Sequence, residues 1–211
     1  MARKLSIMDS GWLMMETRET PMHVGGLALF AIPEDAPSDY MESVYRYMVE
    51  VDGVCRPFSQ KIQSRLPGRL DAAWVDDKNF DIDYHVRHSA LPRPGRVREL
   101  LALVSRLHAQ RLDPSRPLWE SYLIEGLEGN RFALYTKMHH SMVDGMAGMH
   151  LMQSRMASSA DENLPAPWSG EWDKRKKPRQ KNVAVAAKAG VLDGLGSVRR
   201  GAEKMVDLLS L

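Results

Sequence analysis

Residues 131–138, Arg131-Phe132-Ala133-Leu134-Tyr135-Thr136-Lys137-Met138, alternate apolar and polar side chains, the period of a strand entering a core. A second strand is predicted over 121–127. Glu128-Gly129-Asn130 lies between them as a turn, so the two should form a hairpin. Upstream, residues 96–112 place Leu100, Leu101, Leu103, Val104 and Leu107 at amphipathic spacing, which predicts a helix packed on the sheet and stopped by Asp113-Pro114. In 38–50, Met41, Val44, Tyr45 and Met48 share one helical face behind a cap at Ser38. Residues 6–16 read as a short opening helix, with Ser6 or Asp9 as N-cap ahead of Trp12, Leu13 and Met14, and Thr20-Pro21 as its end.

Residues 23–32 form a continuous apolar run bounded by Pro33, the composition of a strand buried on both faces. Its paired Gly25 and Gly26 point to a close backbone approach by a neighbour or ligand. Shorter strands are expected at 59–65, 70–75 and 84–90. Because helices and strands alternate irregularly, a mixed α/β two-layer sandwich fits better than a regular parallel doubly wound fold.

After residue 156 the character changes. Residues 157–182 are rich in Ser, Pro, Trp and basic side chains and read as a long exposed connection. Residues 183–211 are helix-prone despite Gly190, Gly194, Gly196 and Gly201, and the apolar ending Leu208-Leu209-Ser210-Leu211 is that of a truncation or cleavage point. The expected division is a domain at 1–160 followed by a basic linker and helix-prone segment at 161–211.

Composition narrows the class. With 211 residues and 44% hydrophobic content the chain can bury a substantial core. Cys55 is the sole cysteine, which excludes an internal disulfide framework and fits a reducing compartment, so a cytoplasmic location is expected. No apolar stretch is long enough to span a membrane, and Met1-Ala2-Arg3-Lys4-Leu5 leads to Asp9 and not to a signal-type apolar region. Six of the 29 basic residues fall in 174–181, so the remaining 23 face 27 acidic ones. The positive charge is therefore local. Such a run is a solvated linker or a seat for anionic lipid or phosphorylated substrate, and without interleaved aromatics it does not suit nucleic acid. Fourteen methionines serve as core filler or as a surface that accepts long apolar ligands.

The chemistry concentrates in His139-His140-Ser141-Met142-Val143-Asp144-Gly145, directly after the second hairpin strand. Strand ends are where a rigid scaffold presents reactive groups, and an imidazole of ordinary pKa, near ~6.5, accepts a proton at neutral pH. His140 is the candidate general base. Gly145 permits a tight turn that folds Asp144 back toward the loop as an organiser, at the start of a helix carrying Met149, Met152 and Met156. Two adjacent histidines also suit a polar loop edge. A metal site is not supported, because HxxxD lacks the i, i+4 histidine pair and Cys55 stands alone.

This loop resembles the HHxxxDG signature of the bacterial bifunctional wax ester synthase/acyl-CoA:diacylglycerol acyltransferases. Pro117-Leu118-Trp119 resembles the family's PLW element, and residues 6–30 with Met22-His23-Val24-Gly25 resemble its N-terminal region. The resemblance covers residues 1–182 and only the first half of the family's usual chain. It implies a chloramphenicol acetyltransferase-like N-terminal domain whose second domain is absent from this chain, with the crossover at 174–181. It also implies an O-acyltransferase that moves a long-chain acyl group from acyl-CoA, as co-substrate without other cofactor, to a fatty alcohol or diacylglycerol. His140 would be the base and Asp144 the loop organiser. His139 would line the channel or hold His140, and Ser141 would be a hydroxyl donor or a loop residue. The implied partners are the two substrates, the C-terminal domain, possessed in the same or a separate chain, and a membrane or lipid-droplet surface. The rival readings are a condensation-type domain acting on carrier-bound thioesters and a non-catalytic lipid-surface fragment.

Overall fold

The computed structural model describes residues 3–64, 71–143, 155 and 165–170, all within the compact unit Met1–Arg175. Asp144, Gly145, the expected helix with Met149, Met152 and Met156, the basic run at 174–181 and residues 183–211 lie outside the described residues.

A four-stranded sheet organises the unit, in the order β2 (His23–Ala31), β7 (Arg131–His139), β6 (Trp119–Leu127), β5 (Val86–Ala90). β2 and β6 flank β7 antiparallel, while β5 runs parallel to β6, so the sheet is mixed. A parallel neighbour needs a crossover, and α4 (Val97–Ala109) supplies it between β5 and β6. The hairpin turn forms where Gly129 (φ 76°) and Asn130 (φ 52°) take the left-handed conformation that glycine and asparagine tolerate best.

The two faces of this sheet carry two cores. On one, Leu100 with Leu103, Val104 and Leu107 of α4 packs against Tyr122, Ile124, Ala133 and Tyr135. The other meets α1 (Ile7–Met15) through Leu13, α2 (Tyr40–Val49) through Met48, and a smaller sheet through Trp74. That smaller sheet is antiparallel, in the order β1 (Arg3–Lys4), β4 (Ala73–Asp76), β3 (Gln60–Gln63). A one-turn helix, α3 (Ile82–His85), leads into β5. The expected mixed α/β architecture is the one found, and among the described residues no helix is long and apolar enough to cross a membrane.

Three local expectations are corrected. β2 is not buried on both faces. Among the described strands it lies at the sheet edge, paired to β7 alone, and Leu29 and Phe30 near its far end are exposed. The cap of α2 is Asp39 and not Ser38, and its side chain makes no capping hydrogen bond. Part of the expected exposed connection is core: Ala166, Trp168 and Ser169 are buried. Trp168 stacks on Trp119 with ring centroids 5.0 Å apart and donates its indole N–H to the Met48 carbonyl at 2.9 Å. Ser169 bridges to Val54. An indole of this size gains more from such a slot than the surrounding Pro and Ser residues gain from water.

Candidate active site

β7 ends at His139, and its last residues fix the paired histidines by backbone bonds. The His139 N–H donates to the Leu118 carbonyl at 3.0 Å, and the His140 N–H donates to the Met22 carbonyl at 2.9 Å. The PLW element thus acts as a clamp from within the core. Trp119 is fully buried, donates its indole N–H to the Phe58 carbonyl at 2.9 Å, and is stacked on His85. Anchored in this way, it holds Leu118 in place to receive His139.

The two imidazoles face different surroundings. His139 is fully buried, whereas His140 is half-buried with its ring against Trp12 of α1. The Ser141 backbone N–H donates to His139 Nδ1 at 3.1 Å, and Ser141 Oγ lies 2.7 Å from the same nitrogen. A backbone N–H can only donate, so Nδ1 is an acceptor and the ring proton sits on Nε2. That Nε2 faces Glu16 Oε1 at 3.7 Å, beyond hydrogen-bond length but close enough for electrostatic pairing. Ser141 thus holds His139 through both its backbone N–H and its hydroxyl.

Glu16, the residue that closes α1, is the hub of this corner. Its carboxylate accepts from Arg111 at 2.8 Å and from the Met22 backbone N–H at 3.4 Å. Burial pushes its carboxyl pKa up, but the Arg111 guanidinium, the His139 ring and the Met22 amide together hold it below its ordinary value. Neither Glu16 nor Arg111 was visible as a site residue in the sequence. They are 95 positions apart, and no spacing rule links them.

Beneath α4 the sheet carries a polar seam. Lys137 is fully buried and donates to the Leu107 and Gln110 carbonyls at 2.9 Å each, capping the C-terminal end of α4 with a cation. Its ammonium lies 3.2 Å from Glu120, which accepts from Tyr122 at 2.6 Å. Burial pulls the Lys137 pKa below its ordinary value, against the opposing pull of Glu120. Lys137 of β7 therefore faces a helix end and not water. Gln110 immediately precedes Arg111, so the seam holds the guanidinium where Glu16 needs it.

Beside the seam, Gly25 of β2 fulfils the expected close approach. A Cβ there would lie 2.8 Å from Tyr135 Oη and 3.1 Å from His108 Nδ1, two atoms that are themselves hydrogen-bonded at 2.7 Å. Gly26 has open space in the same position.

Comparison with known proteins shows the family of the chain. The family model described as wax ester synthase/diacylglycerol acyltransferase catalytic domain matches residues 5–210. The O-acyltransferase WSD of Acinetobacter baylyi is 38% identical over 210 residues, which is 99% of this chain and 44% of that protein. Among solved structures, the wax ester synthase/diacylglycerol acyltransferase from Marinobacter aquaeolei VT8 superposes with a TM-score of 0.73 at 38% identity, covering 93% of this chain and 46% of its own. The first condensation domain of the calcium-dependent antibiotic synthetase shares the fold, with a TM-score of 0.55 at 20% identity over 73% of this chain and 37% of its own. The chain spans about half the length of the curated relatives it matches, 44% of the Acinetobacter protein. By the family match over residues 5–210 and the likeness to these relatives, the chain belongs to the wax ester synthase/diacylglycerol acyltransferase family.

Proposed function

We propose that this chain is the N-terminal half of an acyl-CoA-dependent O-acyltransferase that moves a long-chain fatty acyl group to a fatty alcohol or to diacylglycerol. His140 is its general base. The single observation that carries this reading is the asymmetry of the histidine pair: His139 is sealed in the core, while His140 presents a partly open ring at the end of β7.

In the reaction His140 takes the proton of the acceptor hydroxyl as its oxygen attacks the thioester carbonyl. The C–S bond breaks, and the leaving CoA thiolate takes the proton back from His140, leaving an ester and free CoA. One base suffices, and no nucleophilic serine or cysteine is required. His139 supports the loop through Ser141 and Glu16, Asp144 organises the turn, and Gly145 lets it close. Acyl-CoA is a co-substrate, and no further cofactor takes part.

The rest of the site belongs to the C-terminal half of the family fold, which excludes water from the thioester and positions the second substrate. The N-terminal domain runs past residue 160 to take in the buried Ala166, Trp168 and Ser169, and the sequence beyond leads through the basic run toward that second half. The same basic run favours residence at the anionic surface of a membrane or lipid droplet.

Full-length protein given palmitoyl-CoA and hexadecanol or diacylglycerol should release CoA thiol in step with ester formation. Transfer from a carrier-bound phosphopantetheine thioester with no use of acyl-CoA would contradict the reading.

A further inference from the structure

The last turn of α1 meets both histidines. Trp12 lies on the His140 ring with centroids 4.6 Å apart, and Glu16, one turn further on, faces the His139 ring at 3.7 Å. The two carboxylate oxygens of Glu16 are used differently. Oε2 is anchored on Arg111 at 2.8 Å, which leaves Oε1 for His139 and for the Met22 backbone N–H at 3.4 Å. Met22 is also the residue whose carbonyl receives the His140 N–H at 2.9 Å. It therefore joins Glu16 on one side to the backbone of the base on the other. The sequence between them makes this meeting local: the Thr20 N–H donates to Thr17 Oγ1 at 3.1 Å, and the Thr17 N–H donates to the Thr20 carbonyl at 3.3 Å. That turn returns Met22 to the end of the helix the chain has just left.

We propose that Glu16, held by Arg111, is the positioning residue of the base, fixing the backbone of His140 through Met22 and its neighbouring ring through His139. This rests on the O-acyltransferase reading above and concerns the same site. The Glu16 side chain is only 7% exposed. Burying a carboxylate costs free energy that a partly exposed partner does not fully return, so the pair is a weak source of stability. What it supplies is direction. With one oxygen tied to a guanidinium, the other draws the His139 Nε2–H and the Met22 N–H toward a single point. The histidines are consecutive, so a group that fixes the ring of the first and the backbone partner of the second leaves the His140 ring set against Trp12. Lys137 fixes the end of α4 and with it Arg111, so this bracket starts and finishes on β7. Glu16 acts on turnover through the placement of the base, and a misplacement of about 1 Å costs on the order of 100-fold in rate.

The test uses the full-length protein with Glu16→Gln, which keeps the shape and one acceptor oxygen but loses the charge. With palmitoyl-CoA and hexadecanol, kcat should fall about 10- to 100-fold while KM for each substrate stays within about twofold. Arg111→Met should lower kcat in the same direction by less, and adding it to Glu16→Gln should cost little more, since the two act as one unit. Magnetic resonance separates positioning from general damage. The His140 ring signal, identified by its loss in His140→Ala, is displaced by the Trp12 ring current and should move in Glu16→Gln toward its place in Trp12→Ala. The indole N–H signals of Trp119 and Trp168, bonded to the Phe58 and Met48 carbonyls, should stay where they are. Wild-type kcat, an unmoved His140 signal, or a loss of kcat that tracks shifted Trp119 and Trp168 signals would overturn the proposal. Should Glu16→Gln not fold, the same readings on Arg111→Met, whose side chain is 40% exposed, decide it. A wild-type protein that releases no CoA with any alcohol would overturn the acyltransferase reading instead, while the resonance measurement, which needs no turnover, still tests the placement of His140.

Discussion

The indole of Trp12 lies flat on the imidazole of His140, with ring centroids 4.6 Å apart and planes 19° from parallel. The stack covers one face of the imidazole. Aromatic pairs of this kind are worth about 0.5–1.5 kcal/mol beyond area burial, which corresponds to a roughly 2- to 13-fold effect on rate if the whole of it orients the base. Trp12→Ala should lower kcat on that scale, and Trp12→Phe should restore most of it. Steady-state kinetics beside circular dichroism will check this. Unchanged kcat in a folded Trp12→Ala protein would refute an orienting role.

Glu16→Gln keeps the shape of the side chain and removes the charge that Arg111 and His139 face. Because Arg111 is 40% exposed, the ion pair is partly screened, and a cost of about 1–2 kcal/mol is expected. The pH dependence is more telling. The Glu16 carboxyl titrates below its ordinary 4.5 in the folded protein, so its stabilisation is complete above that value and disappears as pH falls through the folded one. Urea midpoints should therefore drop less steeply below about pH 4.5 in Glu16→Gln than in wild type. Parallel curves would show that Glu16 contributes nothing through its charge.

Gly25 and Gly26 are adjacent and chemically identical but predict different outcomes. Gly25→Ala drives a methyl to within 2.9 Å of Tyr135 Cε2, and overpacking of this kind costs about 1–3 kcal/mol. Gly26→Ala enters open space and should be neutral or slightly stabilising. Equal thermal shifts for the two variants would contradict the packing described for β2.

Trp168→Ala removes a buried ring stacked on Trp119 and should destabilise the unit by about 3–5 kcal/mol, read from chemical denaturation. A loss under about 1 kcal/mol would place Trp168 outside the cooperative core.

The legible parts of the fold were those set by local pattern. The β6–β7 hairpin, α4 and the histidines at a strand end follow from periodicity and turn residues, and the family could be recognised from the HHxxxDG loop and the PLW element. What was not legible depends on distant partners. The apolar run of β2 looks the same whether it lies at an edge or between two strands, since composition does not report neighbours. Trp168 was hidden because Pro, Ser and Gly around it carry a loop signature, and only its slot beside Met48 and Trp119 reveals it as core. Glu16 and Arg111 meet through tertiary packing alone. The burial of Lys137 was hidden because the carbonyl end of α4 that receives its ammonium is brought there by tertiary packing.

The central claim is that His140, and not its buried neighbour, moves the proton. The most direct measurement is CoA release by full-length His140→Ala with palmitoyl-CoA and hexadecanol, alongside thermal melting. Loss of a positioned base should lower kcat by about 10²–10⁴-fold. The melting temperature should remain close to that of wild type, because the His140 ring is only half-buried. Undiminished CoA release from His140→Ala would contradict the account.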